Sequence, residues 1–427
     1  MSYPQAAWER AMTVQEVMLK ALSGEIHWFR AADILGFSPR TLRRWRERYE
    51  EHGYIGLVDK RRHSPSVRRI AAPEVARLLR LYRDRYRGFN VRHFHQIARR
   101  EHGVTVSYSF LKQTLQAAGL VKKHRARGRH RRRREPRACF GELLHIDGSP
   151  HAWLALRPTE RAVLIAVLDD ATKRVLYAQR WPGETAAAIM TALRDVITTY
   201  GLPMAVYTDR AHWAFNTPQA NGPVNRRQLT QVGRALERLG IEHIPAYSPQ
   251  ARGRSERLNR TFQDRLVNEL RVARITTLTA ANAYLRDRFL PTHNATFSCA
   301  PADPTSAFVP LGRVDLEQIL CHQDERLVAR DNTVAFEGRT FQVAPQPGRR
   351  SCAGLQVTIR RHLTGEYSIW AGARRLGHYP AVLERPRDRR TAVQPVEAAG
   401  AVDAKNASTA PWKTPRSRFP QLPQASL

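Results

Sequence analysis

Acidic side chains are scarce in this sequence. Among its 427 residues, 38 Asp and Glu stand against 70 Lys and Arg, a formal net charge of +32. Self-repulsion on that scale destabilises an isolated compact chain and favours a polyanionic partner. Nucleic acid fits best, because no long basic amphipathic helix with an aromatic face is there to lie on an acidic membrane. Cysteine is equally sparse: Cys139, Cys299, Cys321 and Cys352 lie far apart and form no CxxC pair. That spacing speaks against a structural zinc site and against a disulfide framework. No run of about 18 apolar residues occurs and no N-terminal signal pattern, so the expectation is a cytoplasmic chain without membrane contact. The length has room for about two to four domains with at least one sizeable core.

The few acids that remain are therefore worth placing. Asp147 stands in Leu143-Leu-His-Ile-Asp-Gly-Ser149 and Asp209 in Met204-Ala-Val-Tyr-Thr-Asp-Arg210. Each lies in or just after a short apolar, β-branched run, near the C-terminal end of a predicted buried strand. In open α/β sheets that edge is where ligands bind. The third acid, Glu256, belongs to a helix expected to begin at Ser248-Pro249, a good N-cap and first turn, and to run to about Arg271. Leu258, Phe262, Leu266 and Leu270 bury one face of it, and Arg252, Arg260 and Gln263 lie at helical spacing around Glu256. One Glu on a helix is ordinarily a solvated residue. Two Asp at strand ends with a Glu on a later helix form an ordered set that can converge on divalent cations, which take oxygen ligands.

The N-terminal third is helical and basic. Arg30-Ala-Ala-Asp-Ile-Leu-Gly-Phe-Ser-Pro39 leads into a second helix and has the form of a helix-turn-helix: Ala31–Leu35, a turn at Gly36, Ser38 as N-cap and Pro39 in the first turn. The second helix presents Arg40, Arg43, Arg44, Arg46 and Arg48, while Leu42, Trp45 and Tyr49 can face inward. That split suits a major-groove recognition helix, and an ordinary helical hairpin with a solvated basic face is the bland alternative. A linker around Ser64-Pro65 precedes a second helical unit through Val75, Leu78, Leu79, Tyr82 and Tyr86, a helix capped by Asn90 and ended by Gly103, and a third capped by Ser107. Lys122 to Arg137, with Arg131, Arg132, Arg133 and Arg134 in sequence, builds no core and reads as a phosphate-binding arm.

From Gly141 the pattern changes. Strands are expected at Leu143–Asp147, Arg161–Leu168 and Val175–Trp181, with Asp169 and Asp170 serving a turn. Glu184 opens a helix closing near Gly201-Leu-Pro203. A strand at Ala205–Thr208, a helix from about Arg226 to Leu239, a strand at Ile241–Pro245 and the Glu256 helix follow. The order βββ-α-β-α-β-α is that of an RNase-H-like fold. Beyond Leu316, strands at Arg326–Val328, Thr333–Phe336, Thr340–Val343, Val357–Arg361 and Tyr367–Trp370 form hairpins around Glu337-Gly338 and Thr364-Gly365. Arg360, Arg361, Arg374 and Arg375 either meet DNA or act as edge-strand charges against aggregation.

His145-Ile-Asp-Gly-Ser149, Tyr207-Thr-Asp-Arg210 and Ile244-Pro-Ala-Tyr-Ser-Pro-Gln-Ala-Arg-Gly-Arg-Ser-Glu-Arg257, with His293-Asn-Ala295 and Pro301-Ala-Asp-Pro304, resemble the DDE transposases of bacterial insertion sequences. These have an integrase catalytic core of the retroviral integrase superfamily, and the chain looks most like the ISNCY-type group. Between Asp209 and Glu256 lie 46 residues, positions 210 to 255, more than in the best-known integrase-type enzymes. The excess fits a loop at His212–Leu229.

The resemblance implies a multidomain chain: helix-turn-helix domain 1–62, second helical domain 63–121, basic linker 122–138, RNase-H-like integrase core 139–310, SH3-like β-barrel 311–385 and disordered tail 386–427. It implies catalytic acids Asp147, Asp209 and Glu256 holding two Mg²⁺ ions, with Mn²⁺ able to substitute; Asp147 bridges both and the others hold one each. Arg252, Arg260 and Gln263 then fall near the reacting phosphate. The partners expected are double-stranded element ends and target DNA and at least one further copy of the chain, with no small-molecule substrate and with nucleoid association on DNA. Two rival readings stay open: a helix-turn-helix regulator with an idle core, and a nuclease of RNA–DNA hybrids.

Overall fold

The computed structural model describes residues 5–58, 70–123, 135–219, 222–247, 253–381 and 394–396. The chain divides into two units, Met1–Leu81 with Ser109–Leu120, and Tyr82–Tyr108 with Val121–Leu427. The expected linker at Ser64-Pro65, the Arg131–Arg134 run, Ser248, Pro249, Arg252 and nearly all of the 386–427 tail lie outside the described residues.

In the first unit, α1 (Gln5–Leu22), α2 (Trp28–Leu35) and α3 (Pro39–His52) enclose a core of Ala11, Val14, Met18, Ala31, Ala32, Leu42 and Leu57. The turn between α2 and α3 is made by Gly36 at φ 63°, a left-handed conformation that a side chain would strain. The Ser38 hydroxyl then accepts from the Thr41 N–H, and Pro39 takes the first helical position. The helix-turn-helix is formed as its local signals dictate, with α2 starting three residues earlier than expected.

Helices α4 (Ala72–Asp84), α5 (Val91–His102) and α6 (Tyr108–Ala117) come next. The first unit takes most of α4 and nearly all of α6; the second takes α5. Asn90 caps α5 by accepting from the His93 N–H.

The second unit is built on β1 (Cys139–Phe140), β2 (Leu143–His151), β3 (Ala162–Asp169), β4 (Val175–Trp181), α7 (Ala186–Tyr200), β5 (Ala205–Thr208), α8 (Gln231–Arg238), β6 (Glu242–Pro245), α9 (Gly253–Val272), α10 (Leu278–Tyr284), α11 (Leu290–Phe297) and β7 (Asp303–Ser306). A five-stranded sheet runs β4-β3-β2-β5-β6. Its first three strands are antiparallel, and β5 and β6 are parallel to β2. The integrase-like element order is therefore present.

Helices cover both faces of this sheet. Leu144, Ile146, Ile165 and Val206 pack with α7 and α8 on one side. Leu164, Ala166 and Leu168 pack with α9, α10 and α11 on the other. On α9, Leu258, Phe262, Leu266 and Leu270 are at most 7% exposed. At about 1.5–3 kcal/mol for each buried side chain, an upper bound, that stripe is what fixes the helix on the sheet.

Strand β4 is an edge whose free backbone groups are covered by asparagines. Asn294 receives from the Val175 N–H and donates to its carbonyl, both at 2.9 Å. Asn282 does the same at Arg180. Helix α5 lies against α9 through Asn90 with Asp264, His93 with Glu269 at 2.7 Å, and Gln96 with Arg265 at 2.9 Å.

Beyond α12 (Leu316–Ile319) come β8 (His322–Leu327), β9 (Thr333–Phe336), β10 (Arg339–Gln342), β11 (Gln356–Arg361), β12 (Tyr367–Ala371) and β13 (Arg374–Tyr379). They form a β9–β10 hairpin and a sheet ordered β13-β12-β11-β8 around Val334, Phe336, Phe341, Ile359, Tyr367 and Tyr379.

Several expectations need correction. The helix expected over Arg226–Leu239 is shorter: the Asn225 side chain binds the Arg227 and Gln228 N–H groups as a loop, and Thr230 caps α8. Strand β13 was not foreseen. Arg360 does not face solvent; it is 8% exposed and stacks on Trp370.

Candidate active site

Alternation along β2 decides which side chains meet α9. Leu144 and Ile146 enter the core shared with α7 and α8, so His145, Asp147 and Ser149 turn toward α9. Four-residue spacing on α9 supplies the reply. Asn259 Nδ2 donates to Asp147 Oδ2 at 2.7 Å, and Gln263 Nε2 donates to Ser149 Oγ at 3.1 Å. One turn earlier, Ser255 is 5% exposed.

Asp209 follows β5, whose Tyr207 stands opposite His145 on β2. Its Oδ1 accepts from the Ala211 N–H at 3.0 Å. His145, Asp147, Tyr207, Thr208, Asp209 and Ser255 line one recess at this edge of the sheet. The two predicted strand-end acids thus meet, and Asp147 is only 7% exposed.

Glu256 is placed differently. It sits in the first turn of α9 next to Ser255, but its side chain is exposed and does not line the recess. Arg260 is exposed as well, whereas Gln263 is half-buried and engaged by Ser149. On α3, Arg40, Arg43 and Arg44 are exposed. Arg46 is partly used by the fold, pairing with Glu50 at 2.6 Å and lying over Trp28.

Two acids passed over in the sequence prove closely engaged. Asp170, fully buried, accepts from His145 Nε2 at 2.7 Å, Arg254 Nε at 3.0 Å and the Arg137 N–H at 2.8 Å. Burial by itself would raise its pKa; the hydrogen bonds from His145 and Arg137 and the charges of His145 and Arg254 hold it below the usual carboxylate range. Asp169 fills the expected turn role, accepting from Thr172 and Gly141. Glu184, between β4 and α7, accepts from Trp213 Nε1 at 2.8 Å. Burial pushes its carboxyl pKa up, and the nearby Asp209 and Asp147 add to that against the Trp213 hydrogen bond. Nothing local marks either residue, since each partner is remote in sequence.

Among the described residues, no three His, Cys, Asp or Glu side chains form a set that holds a metal ion by itself. Asp147 and Asp209 nevertheless bring carboxylate oxygens to one recess. Mg²⁺ in phosphate chemistry takes one or two carboxylates and completes its shell with substrate and water, so this donor set fits a hard divalent cation.

Residues 15–66 match the family described as a helix-turn-helix domain, and residues 41–115 that described as a homeodomain-like domain. Among solved structures, the simian T-cell lymphotropic virus intasome in complex with PP2A regulatory subunit B56 gamma is 15% identical, covering 68% of this chain and 91% of that one at a TM-score of 0.31. The HTLV-2 integrase catalytic core domain in complex with magnesium (trimeric form) is 16% identical, covering 34% and 85% at a TM-score of 0.26. Scores this low carry no weight in the assignment. The sequence is 33% identical over 208 residues to the transposase for insertion sequence IS1202 of Streptococcus pneumoniae, covering 48% of this chain and 43% of that protein. It is 31% identical over 367 residues to "Putative transposase y4bF" of Sinorhizobium fredii, covering 85% of this chain and 79% of that protein. With that identity held across most of both chains, this protein belongs to the transposase family.

Proposed function

We propose that this transposase binds the terminal inverted repeats of its element and carries out metal-dependent DNA cleavage and strand transfer at them. The observation that carries the reading is the recess where Asp147 and Asp209 meet at the ends of neighbouring parallel strands, closed by the first turn of α9. Asp147, Asp209 and Glu256 would hold two Mg²⁺ ions, with Mn²⁺ able to substitute; such ions, when bound, activate the attacking water or 3′-hydroxyl and stabilise the leaving oxygen. Asn259 keeps the Asp147 carboxylate oriented. Exposed Arg40, Arg43 and Arg44 on α3 suit the major groove of the element end, and the Arg131–Arg134 arm, Arg252, Arg260 and Gln263 complete the proposed DNA contacts.

The domain division given above goes with this reading, as do an SH3-like identity for the sheets formed by β8 to β13 and an assembly of at least two copies joining two ends in the cytoplasm. No described helix is long and apolar enough to cross a membrane.

The test is cleavage of a duplex carrying the element's own end. Wild type should cut it with Mg²⁺, and Asp209→Asn should bind it with near wild-type affinity without cutting. Cutting by Asp209→Asn at the wild-type rate would remove the assignment. Binding without cutting by the wild type would favour the regulator, and preference for RNA–DNA hybrids the nuclease.

A further inference from the structure

We propose that Glu184 is a further carboxylate of the reaction centre, holding the divalent cation together with Asp147 and Asp209, and that Trp213 in the loop after Asp209 positions it. The proposal rests on the assignment of Asp147 and Asp209 above.

Three observations carry it. The first is the fit between Glu184 and Gly148, the residue after Asp147. A Cβ at position 148 would stand 2.6 Å from Oε1 of Glu184 and closer still to Cδ and Oε2. The carboxyl group therefore rests directly on the Asp147 strand, and glycine at 148 is what leaves it room. The second is the absence of an ordinary structural task. Thr185, not Glu184, caps α7, accepting from the Ala188 N–H at 3.2 Å. Among the described residues Glu184 has no ion pair, and its hydrogen bond comes from the neutral Trp213 indole. The third is its neighbours: Asp209 and Asp147 are the negative charges acting on it. Carboxylates gathered without a paired cation repel each other in a half-buried site, and a divalent cation among them relieves that repulsion.

Trp213 explains part of the His212–Leu229 loop. Its ring is 3% exposed and packs with Ala214 in the core shared by α7 and α8. The indole N–H is thus a fixed donor that orients Glu184.

The experiment measures Mn²⁺ binding to the purified full chain without DNA, by titration followed with electron paramagnetic resonance, alongside end-DNA affinity without metal and circular dichroism melting. Wild type, Asp209→Asn, Glu184→Gln and Trp213→Phe are compared. Glu184→Gln should weaken Mn²⁺ binding by about tenfold or more, and Trp213→Phe by a few-fold, on the order of the losses seen when a ligand's supporting group is removed. End-DNA affinity and melting should stay near wild type. If Asp209→Asn loses Mn²⁺ while Glu184→Gln and Trp213→Phe bind as wild type, the Glu184 proposal is overturned and the Asp147–Asp209 site stands. If Asp209→Asn also binds as wild type, the site assignment itself fails. Should Glu184→Gln not fold, Trp213→Phe decides alone, since it keeps the buried ring and removes only the donor.

Discussion

Replacing Asp170 by Asn should unfasten the first turn of α9 from the sheet. The carboxylate is fully buried and joins three parts of the chain: His145 on β2, Arg254 at the start of α9 and the Arg137 backbone just before β1. Its own carbonyl takes a second hydrogen bond from Arg254 Nη1 at 2.6 Å. An amide has the same shape, but its NH₂ end must face one of these donors, and the Arg254 charge loses its counterion. Removing one partner of a buried pair costs about 3–5 kcal/mol. The Arg254 side chain is 18% exposed, so water relieves part of the stranded charge and the lower end, about 3 kcal/mol, applies. For a unit of this size that corresponds to a drop in melting temperature of roughly 6–12 °C.

The measurement is thermal melting by circular dichroism at pH 7, repeated toward acid. The folded pKa of Asp170 lies below its unfolded value. Its stabilisation is therefore full above about pH 4 and is lost as the pH falls through the folded pKa, where wild type and Asp170→Asn should converge. A variant melting within about 1 °C of wild type at pH 7, or a gap that widens in acid, would refute the clamp.

Other outcomes follow from the same structure. Arg43→Ala with Arg44→Ala should weaken binding to the element's end and flatten its salt dependence while leaving melting unchanged, since both side chains are exposed; an unchanged salt slope counts against α3 as the recognition helix. Glu256→Gln should abolish DNA cleavage yet leave Mn²⁺ affinity of the free chain near wild type, because Glu256 is exposed and outside the recess; an equal loss in both assays contradicts this. His293, 6% exposed among Phe262, Phe289 and Phe297, has its pKa lowered to about 4, first by burial and then by Arg265. It stays neutral in the fold while the unfolded chain protonates below about pH 6.5, so stability should fall by about 2 kcal/mol between pH 7 and 5 on its account. His293→Phe should reduce that slope in urea unfolding, and an unaltered slope rules out this source.

What the sequence disclosed was what local chemistry encodes. Gly36, Ser38 and Pro39 specify a turn and a cap within a few residues, and the strands bearing Asp147 and Asp209 announce themselves by apolar runs. What it concealed depends on distant partners. Asp170 passes for a turn residue until Arg254, far along the chain, is folded onto it. Arg360 passes for a surface charge until Trp370 covers it. Gln263 passes for a DNA contact until β2 alternation sets Ser149 opposite it. Glu184 becomes informative only when Gly148 and Trp213 close around it. Strand β13 was missed because Arg374, Arg375 and Gly377 suppress the strand signal that burial of Leu376 and Tyr379 restores.

The most direct test of the central claim is movement of a marked DNA segment, flanked by the sequences native to this gene, in cells expressing wild type or Asp209→Asn. Movement with wild type alone is the predicted result. Equal movement with both proteins would contradict the account, because the chemistry would then not depend on the carboxylate placed in the recess with Asp147.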